Sequence, residues 1–227
     1  MEEIKTPEKK DNRKKLLVTV LLVIALALTA IAVYFWYNNE YFVSTEDATI
    51  SGDMVNVSPQ ITGKLLDFYV QEGDTVTKDQ VLGRQDVAYL TSDNNIDMSL
   101  IRAPITGRII KKNCNIGEVE SPSGQPLAII IDPSKLYITA NIEETKLSRL
   151  LPGQKVDITI DAIHGVKFSG KLRSVGQAAN SIFSLIPTTS GGTFTKVVQR
   201  IPIKVDIDKN DFKLLPGTNA VIKIHVK

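Results

Sequence analysis

The chain contains one long apolar run, followed by many short segments in which apolar and polar residues alternate. The apolar run, residues 16–37, carries no charge and lies directly behind a basic cluster, Lys9, Lys10, Arg13, Lys14 and Lys15. At about 1.5 Å per residue, roughly 22 helical residues span about 33 Å, and the hydrocarbon core of a bilayer is about 30 Å thick. The run ends in aromatic residues typical of the membrane interface, Tyr34, Phe35, Trp36 and Tyr37. The pattern predicts one transmembrane helix over residues 16–37.

Charges on the two sides of this run predict its orientation. Basic residues precede it, whereas Glu40, Glu46 and Asp47 follow it. The positive-inside tendency therefore keeps residues 1–15 in the cytoplasm and places the rest of the chain outside. The alternative is a cleaved signal peptide, with a small-x-small site at the segment AIA (30–32). A signal core has only about 7–15 apolar residues, so the length of the run favours an uncleaved anchor.

After the anchor, an apolar residue at every second position predicts half-buried strands. The alternation is clearest at residues 156–160 and 222–226. Further strands are predicted at residues 43–50, 55–57, 63–70, 82–84, 107–111, 127–131, 136–142, 167–175 and 197–207. One helical turn is predicted at residues 143–151, because Pro152 and Gly153 end a helix and start a turn. The outer part of the chain is thus predicted to be mainly β.

Two internal repeats indicate how these strands are arranged. The segment SPQITG (58–63) is echoed by APITG (103–107), and a glycine before an acidic residue follows each copy, at Gly73 and Gly117. Glycine at such positions fits a tight turn that needs a positive φ. The repeat predicts a small sandwich built from two pseudo-symmetric halves. The segment LLPG occurs twice, at residues 150–153 and 214–217, and predicts a second β-domain with its own internal symmetry.

The distribution of charge and reactive residues excludes several classes of protein. Residues 38–227 carry equal numbers of basic and acidic side chains, which argues against nucleic-acid binding. The two histidines, His164 and His225, have no partner at metal-ligand spacing, and His225 is predicted to be a solvated strand residue. The sequence has no G-x-S-x-G elbow and no P-loop, and the segment SGG (190–192) is predicted to be a flexible loop. These observations predict that the protein is not an enzyme and binds no metal.

The single cysteine, Cys114, cannot form an intrachain disulfide, so a fold outside the cytoplasm must depend on its hydrophobic core. Two interpretations of this residue stand. It is either a small apolar residue of a strand, which we favour, or a reactive thiol.

Several segments, in order along the chain, resemble the membrane fusion (periplasmic adaptor) family of the HlyD and EmrA type. They are STEDA (44–48), VSPQITG (57–63), VQEGDTV (70–76), QVL (80–82), IRAPITG (101–107), FSLIP (183–187) and KVVQRIPI (196–203). The resemblance implies a mainly β fold with a single N-terminal transmembrane helix, a flattened biotinyl/lipoyl-like sandwich and a β-barrel. The implied domains are a cytoplasmic N-terminus (1–15), the membrane helix (16–37), a linker and first strand joining the barrel (38–52), the lipoyl-like domain (53–135) and the β-barrel domain (136–227).

By the same resemblance, the expected function is that of an adaptor in multidrug efflux, xenobiotic transport or secretion. Such proteins oligomerise and partner an inner-membrane transporter of the major-facilitator or ABC type. Family members usually carry a long helical hairpin between the lipoyl halves, which meets an outer-membrane channel. Here the link, residues 87–100, has only about fourteen mostly polar residues, too few for paired coiled-coil helices. Docking onto an outer-membrane channel is therefore not expected.

The lipoyl-like halves do not imply a cofactor. A carrier domain presents a modifiable lysine between its halves, but the link at residues 87–100 contains no lysine. The nearest one, Lys78, is predicted to lie in an ordinary turn. We expect neither biotin nor lipoate to be attached.

The segment 178–195 is the candidate contact region for a partner or substrate. It places four large apolar residues in a stretch rich in Ser, Thr and Gly, namely Phe183, Leu185, Ile186 and Phe194. These side chains either present an apolar surface to a partner or plug one end of the barrel, and both interpretations stand. Two further functional hypotheses remain open. One is a membrane-tethered module that captures a small apolar solute in the barrel mouth, and the other is a relative that keeps the fold but not transport.

Overall fold

The computed structural model describes residues 12–86, 97–178, 198–209 and 212–226, with side chains from Leu16 onward. One helix, α1 (Asn12–Tyr41), precedes strands that make up one closed barrel and two small sheets. The strands are β1 (Phe42–Ser51), β2 (Met54–Val57), β3 (Gly63–Phe68), β4 (Thr75–Val76), β5 (Val81–Gln85), β6 (Leu100–Arg102), β7 (Gly107–Lys112), β8 (Val119–Glu120), β9 (Ala128–Ile131), β10 (Tyr137–Glu143), β11 (Lys155–Ile160), β12 (Lys167–Val175), β13 (Arg200–Ile207) and β14 (Asn219–His225). Two short 3-10 helices cover Pro133–Lys135 and Glu144–Arg149.

The helix α1 includes the whole predicted membrane span and extends beyond it at both ends. All side chains of residues 16–37 are exposed, as expected for a helix that is surrounded by lipid. Within the described residues, α1 is the one helix that is long and apolar enough to cross a membrane. At its C-terminal end, Tyr37 and Tyr41 stack one turn apart with ring centroids separated by 4.5 Å. Because neither glycine nor proline interrupts residues 38–41, the helix continues past the apolar run.

Strands β2 to β9 form two four-stranded sheets, with strand orders β2-β9-β7-β4 and β6-β5-β3-β8. If β2 is exchanged with β6, β3 with β7, β4 with β8 and β5 with β9, the strand order of one sheet becomes that of the other. The predicted twin halves are therefore confirmed. Gly63 begins β3 and Gly107 begins the equivalent strand β7, and two residues later Leu65 and Ile109 point into the same core.

The other six strands close into an antiparallel barrel in the order β1-β10-β13-β12-β11-β14. This ring is also internally symmetric. If β10 is exchanged with β13, β11 with β14 and β12 with β1, each pair of neighbouring strands becomes another pair that is also present in the ring. The second half of the barrel therefore takes its third strand, β1, from the segment that directly follows α1.

The repeated LLPG turns occupy equivalent positions in the two halves of the barrel. Gly153 (φ 93°) donates its backbone N–H to Leu172 O at 2.7 Å, and Gly217 (φ 85°) donates to Ile50 O at 2.8 Å. A positive φ at both positions explains why glycine recurs there. The analogous sandwich glycines, Gly73 and Gly117, have φ values of 95° and 96°. The turn chemistry inferred from the repeats is thus confirmed.

Alternating side chains from all six strands fill the barrel. Ile138, Ile158, Ile203 and Ile222 are each 0% exposed, whereas polar residues such as Thr139, Asp157 and Lys204 occupy outward positions beside them. A barrel of so few strands has an interior only as wide as its packed side chains. The described strands therefore leave no chamber for a solute inside the barrel.

Some predicted boundaries were wrong. The predicted strand over residues 63–70 ends at Phe68, because Val70 belongs to the following turn, although its side chain is buried in the sandwich. The predicted helical turn is a 3-10 helix, Glu144–Arg149. The short strands β4, β6 and β8 were not predicted, since segments of two or three residues show no periodicity.

Cys114 lies beyond the end of β7 and is 4% exposed within the sandwich core. The prediction that Cys114 belongs to a strand was wrong, whereas the prediction that it is a small residue in apolar surroundings is confirmed. Burial raises the pKa of the Cys114 thiol. A raised pKa leaves less thiolate, which is the reactive form.

We expect Cys114 to resist modification by 5,5′-dithiobis(2-nitrobenzoic acid) in the native protein at pH 8. The native thiol should react at least about a hundredfold more slowly than the thiol of the same protein in denaturant, because the reagent reaches Cys114 only when the sandwich opens. Absorbance at 412 nm measures the rate. Reaction of the native thiol at the denatured rate would contradict its burial.

Candidate functional site at the membrane-proximal junction

The junction between the anchor and the barrel contains no linker. The helix ends at Tyr41 and β1 begins at Phe42. The predicted linker at residues 38–52 is therefore divided between the last turn of α1, strand β1 and the short connection that follows β1.

Groups from the barrel cap the end of the helix. The last carbonyls of a helix lack intrahelical donors, and its last turn carries no basic residue of its own. Arg149, at the end of the 3-10 helix, donates from Nη2 to Glu40 O, and the backbone N–H of Val226 donates to Tyr41 O at 3.0 Å. A cation at this position also opposes the negative end of the helix dipole. The barrel thereby stabilises the terminus of the anchor.

Lys223 on β14 makes two contacts across the same junction. Its Nζ donates to Asn38 Oδ1 at 2.8 Å and lies 3.8 Å from the ring centroid of Phe42. A cation over an aromatic ring is stabilised by about 0.5–2 kcal/mol, depending on its solvation. Lys223 thus connects the last strand to both the helix and the first strand.

His225 completes the junction and corrects one prediction. It was expected to be a solvated side chain, but it packs edge-on against Phe42 at a centroid distance of 4.9 Å. Its Nε2 lies 2.7 Å from Asp157 Oδ2 on β11. The outward phase of β14 was predicted correctly. Neighbouring side chains nevertheless cover this part of the barrel surface, because the helix ends there.

We expect Lys223→Met to loosen the junction without unfolding the barrel. Methionine keeps most of the aliphatic stem but loses both the hydrogen bond and the cation–π contact, a loss of about 1–2 kcal/mol. Hydrogen exchange of the backbone amides in residues 38–43, measured in nanodiscs, should accelerate about tenfold. Lys171→Met, at an exposed position on the outside of β12, is the matched control and should leave exchange unchanged. Equal exchange in both variants would contradict the role of Lys223.

A second junction connects the barrel to the sandwich. The chain crosses between them at residues 52–53 and 132–136. Tyr137 donates from its hydroxyl to Asp53 Oδ1 at 3.3 Å, so that the two crossings are joined. Arg173 and Lys204 lie over the Tyr137 ring, at 4.9 and 4.7 Å from its centroid. The hydrogen bond from Arg173 to Asp206 raises the pKa of this guanidinium, which therefore stays charged.

Asp132 caps the 3-10 helix within the second crossing. Its carboxylate accepts from Ser134 Oγ at 2.6 Å and from Ser134 N at 3.0 Å. The serine hydroxyl is the main cause that lowers the pKa of Asp132. Ionised Asp132 therefore stabilises the folded state at a pH above the ordinary pKa of an aspartate. This contribution is lost as the pH falls through the lowered pKa of Asp132.

The predicted contact residues Phe183, Leu185, Ile186 and Phe194 lie outside the described residues. The described part of the chain contains no group of three or more His, Cys, Asp or Glu side chains arranged to hold a metal ion. Lys78 lies in the turn between β4 and β5, where its backbone N–H donates to Thr106 Oγ1 at 2.9 Å.

Sequence reasoning missed the residues of the junction. Asn38 and Lys223 are 185 positions apart, and Glu40 and Arg149 are 109 apart. Local periodicity carries no information about such pairs. The available signal was the absence of glycine and proline between the apolar run and the first strand, which allows the helix to meet the barrel directly.

Comparison with known proteins identifies the family. The family model described as "RND MFP, barrel-sandwich hybrid domain" matches residues 53–136, and "YknX-like beta-barrel domain" matches residues 136–224. The "Putative efflux system component YhbJ" of Bacillus subtilis (strain 168) is 34% identical over 220 residues, which cover 96% of each chain. The "Multidrug export protein EmrA" of Escherichia coli (strain K12) is 32% identical over 136 residues, or 57% of this chain and 34% of that protein.

The solved structure titled "Structure of the periplasmic adaptor protein EmrA" shares the fold. It superimposes with a TM-score of 0.55 at 15% identity, over 82% of this chain and 98% of that chain. The chain spans about a third of the length of the Escherichia coli relative, but nearly all of the Bacillus one. With a full-length relative, two matching family models and a sandwich and barrel in the same order, the chain belongs to the EmrA-type membrane fusion proteins.

Proposed function

We propose that this protein is a single-pass adaptor of the inner membrane that supports the export of drugs, peptides or other small molecules by a partner transporter. Its N-terminus is cytoplasmic and its two β-domains are extracytoplasmic. The names of its relatives, an efflux system component and a multidrug export protein, support this function. The basic residues before α1 and the acidic residues after it support the orientation.

One observation carries the proposal: the anchor continues directly into the barrel, and Arg149, Lys223 and Val226 hold the connection. A substrate-binding module would need only a flexible tether. An adaptor has to keep its contact surfaces at a set height above the membrane, beside the transporter. The continuous junction meets that requirement.

The partner that we propose is a major-facilitator or ABC transporter, and we propose that the adaptor forms a homo-oligomer around it. Our domain boundaries are residues 1–15, 16–37, 38–52, 53–135 and 136–227, and the two family models meet at residue 136 in support of the last boundary. Phe183, Leu185, Ile186 and Phe194 remain our proposed partner contacts.

Engagement of an outer-membrane channel is not part of the proposal. Strand β5 ends at Gln85 and β6 begins at Leu100, so residues 86–99 are all that connects the two halves of the sandwich. A coiled-coil hairpin of several heptads needs a far longer insertion. The alternative function, capture of an apolar solute in the barrel mouth, is not favoured because packed isoleucines and valines fill the described barrel.

The test is deletion of the gene in its native host, followed by complementation and purification. We expect the deletion to increase sensitivity to at least one toxic compound, and the wild-type chain to restore resistance and to co-purify with a multi-span transporter. Insertion of a Gly-Ser linker of about ten residues between Tyr41 and Phe42 should abolish resistance while expression persists. Unchanged sensitivity in the deletion strain across a broad panel, with no transporter recovered, would overturn the proposal.

Photo-crosslinking tests the proposed contacts. A benzoyl-phenylalanine at position 183 should capture the transporter. The same probe at Val119, which is 71% exposed on the sandwich, is the control and should not capture it. Equal capture at both positions would remove the contact role from Phe183.

A further inference from the structure

A cleft lies between the sandwich and the barrel, beside the second crossing of the chain. Its volume is about 730 Å³, and described residues of both domains line it. Arg108 and Ile131 come from the sandwich, whereas Phe212, Leu214 and Leu215 come from the connection between β13 and β14. Clefts of about 300–1,000 Å³ at domain junctions are the usual sites for small organic molecules.

The polar part of this cleft is mostly cationic. Three of its described lining residues are basic, Arg108, Lys209 and Lys213, and one is acidic, Asp208. The carboxylate of Asp208 already accepts a hydrogen bond from Ser169 Oγ at 2.7 Å. A negatively charged group would therefore meet three cations in the cleft and one carboxylate that is already engaged.

Arg108 supplies a guanidinium to the lining of the cleft. Its Nε is buried and has no hydrogen-bond partner among the described residues. A buried donor without an acceptor is costly, and a guanidinium binds a carboxylate, sulfonate or phosphate through parallel N–H groups. Arg108 follows the repeated Gly107, at the position that Lys64 occupies in the other half of the sandwich. Both halves of the sandwich therefore carry a basic residue at this position, and of the two only Arg108 lines the cleft.

The rest of the lining is apolar and partly open to solvent. Leu215 is 55% exposed and Phe212 is 48% exposed, and Leu214 packs beside them against the barrel core. Exposed side chains of this size, grouped around a cationic residue, match a ligand with an apolar body and one anionic group.

We propose that this cleft binds amphiphilic organic anions, with the anionic group on Arg108 and the apolar body against Phe212, Leu214 and Leu215. Recognition by charge distinguishes this class from neutral and cationic amphiphiles of the same shape. The site goes beyond the adaptor function, and its test requires no transporter. A failure here would therefore leave that function untouched.

The experiment uses the full chain in lipid nanodiscs, labelled at isoleucine δ-methyl groups. Three soluble probes share one ring system and differ in charge: naphthalene-2-sulfonate, 2-naphthol and 2-naphthylmethylammonium. We expect the sulfonate to shift the methyl resonances of Ile110, Ile131 and Ile207, which line the cleft, while those of Ile158 and Ile222 inside the barrel stay in place. The ammonium probe should bind at least about tenfold more weakly, because it offers no acceptor and meets like charge.

Two variants and one control assign the effect to the cleft. Arg108→Gln should weaken sulfonate binding about tenfold and bring it close to that of 2-naphthol. Leu215→Glu places a negative charge at a half-exposed position with little packing cost and should weaken it similarly, so the proposal stays testable if Arg108→Gln misfolds. Lys111→Gln changes an exposed lysine on the same strand outside the cleft, and should have no effect. Equal binding of all three probes, or unchanged binding in both variants, would overturn the proposal.

Discussion

Replacing Gly170 with alanine should lower the thermal midpoint of the barrel by about 12–24 °C. Gly170 faces the interior from β12, and a Cβ there would overlap the carbonyl oxygen of Asp206 on β13 and come within 3.0 Å of Ile158 Cδ1. Backbone atoms of the neighbouring strand cannot move aside as a flexible side chain does, so β12 and β13 must separate. Overpacking of this kind costs about 3 kcal/mol, and a domain of about 100 residues loses about 4–8 °C per kcal/mol.

Near-ultraviolet circular dichroism of the purified full chain measures this midpoint. Lys171→Ala, at the adjacent outward position, is the matched control and should stay within about 4 °C of the wild type. The rate of Cys114 modification, which reports on the sandwich, should not change at temperatures below the midpoint. A midpoint for Gly170→Ala as high as that of the control would show that the barrel tolerates a side chain there.

The second large effect is expected from two arginines in the anchor, Ile24→Arg together with Leu28→Arg. Each arginine near the bilayer centre costs about 2.5–3.5 kcal/mol of insertion free energy, whereas each leucine or isoleucine contributes only about 0.3–0.6 kcal/mol in favour. One arginine should therefore weaken insertion, and two on one helix face should abolish it. The measurement is the fraction of protein that resists carbonate extraction from membranes.

Asn39→Arg is the control for this experiment. It adds one arginine in the last turn of α1, next to the barrel and beyond the apolar run. Its extraction should match the wild type, because arginine is tolerated at the membrane interface. If the double arginine variant also resists extraction fully, α1 is not what holds the protein in the membrane.

Those parts of the fold that repeat or alternate were predictable from the sequence. The alternation at residues 156–160 and 222–226 places Ile158 and Ile222 in the barrel core, where they are 0% exposed. The SPQITG and APITG copies identified the equivalent strands β3 and β7. Each copy ends at the glycine that begins its strand, and each glycine lies close to the backbone of a neighbouring segment. A Cβ on Gly63 would lie 2.9 Å from Asp86 O, and one on Gly107 would overlap Ile131 O.

The closure of the barrel was not predictable in the same way. β1 precedes the sandwich in the chain but pairs with β10 and β14 on its far side. Such pairing depends on contacts between segments far apart in sequence, and no local pattern encodes it.

The junction and the cleft were beyond sequence reasoning for a related reason. Both arise where separate elements meet, so that Arg149 reaches Glu40, and Arg108 and Leu215 line one cleft, only after the domains have assembled. The functional class was accessible because the family motifs are continuous in sequence. The residues of the junction and of the cleft are not.

The direct passage from α1 to β1 also gives the anchor a rotational phase. Each helical residue turns the chain by about 100° and advances it by about 1.5 Å. One residue added between Tyr37 and Asn38 would scarcely change the height of the barrel, yet it would swing every outer face through more than a quarter of a circle about the membrane normal. Wherever a neighbouring molecule must contact the barrel from a particular side, the number of residues in this helix sets which side of the barrel faces that molecule.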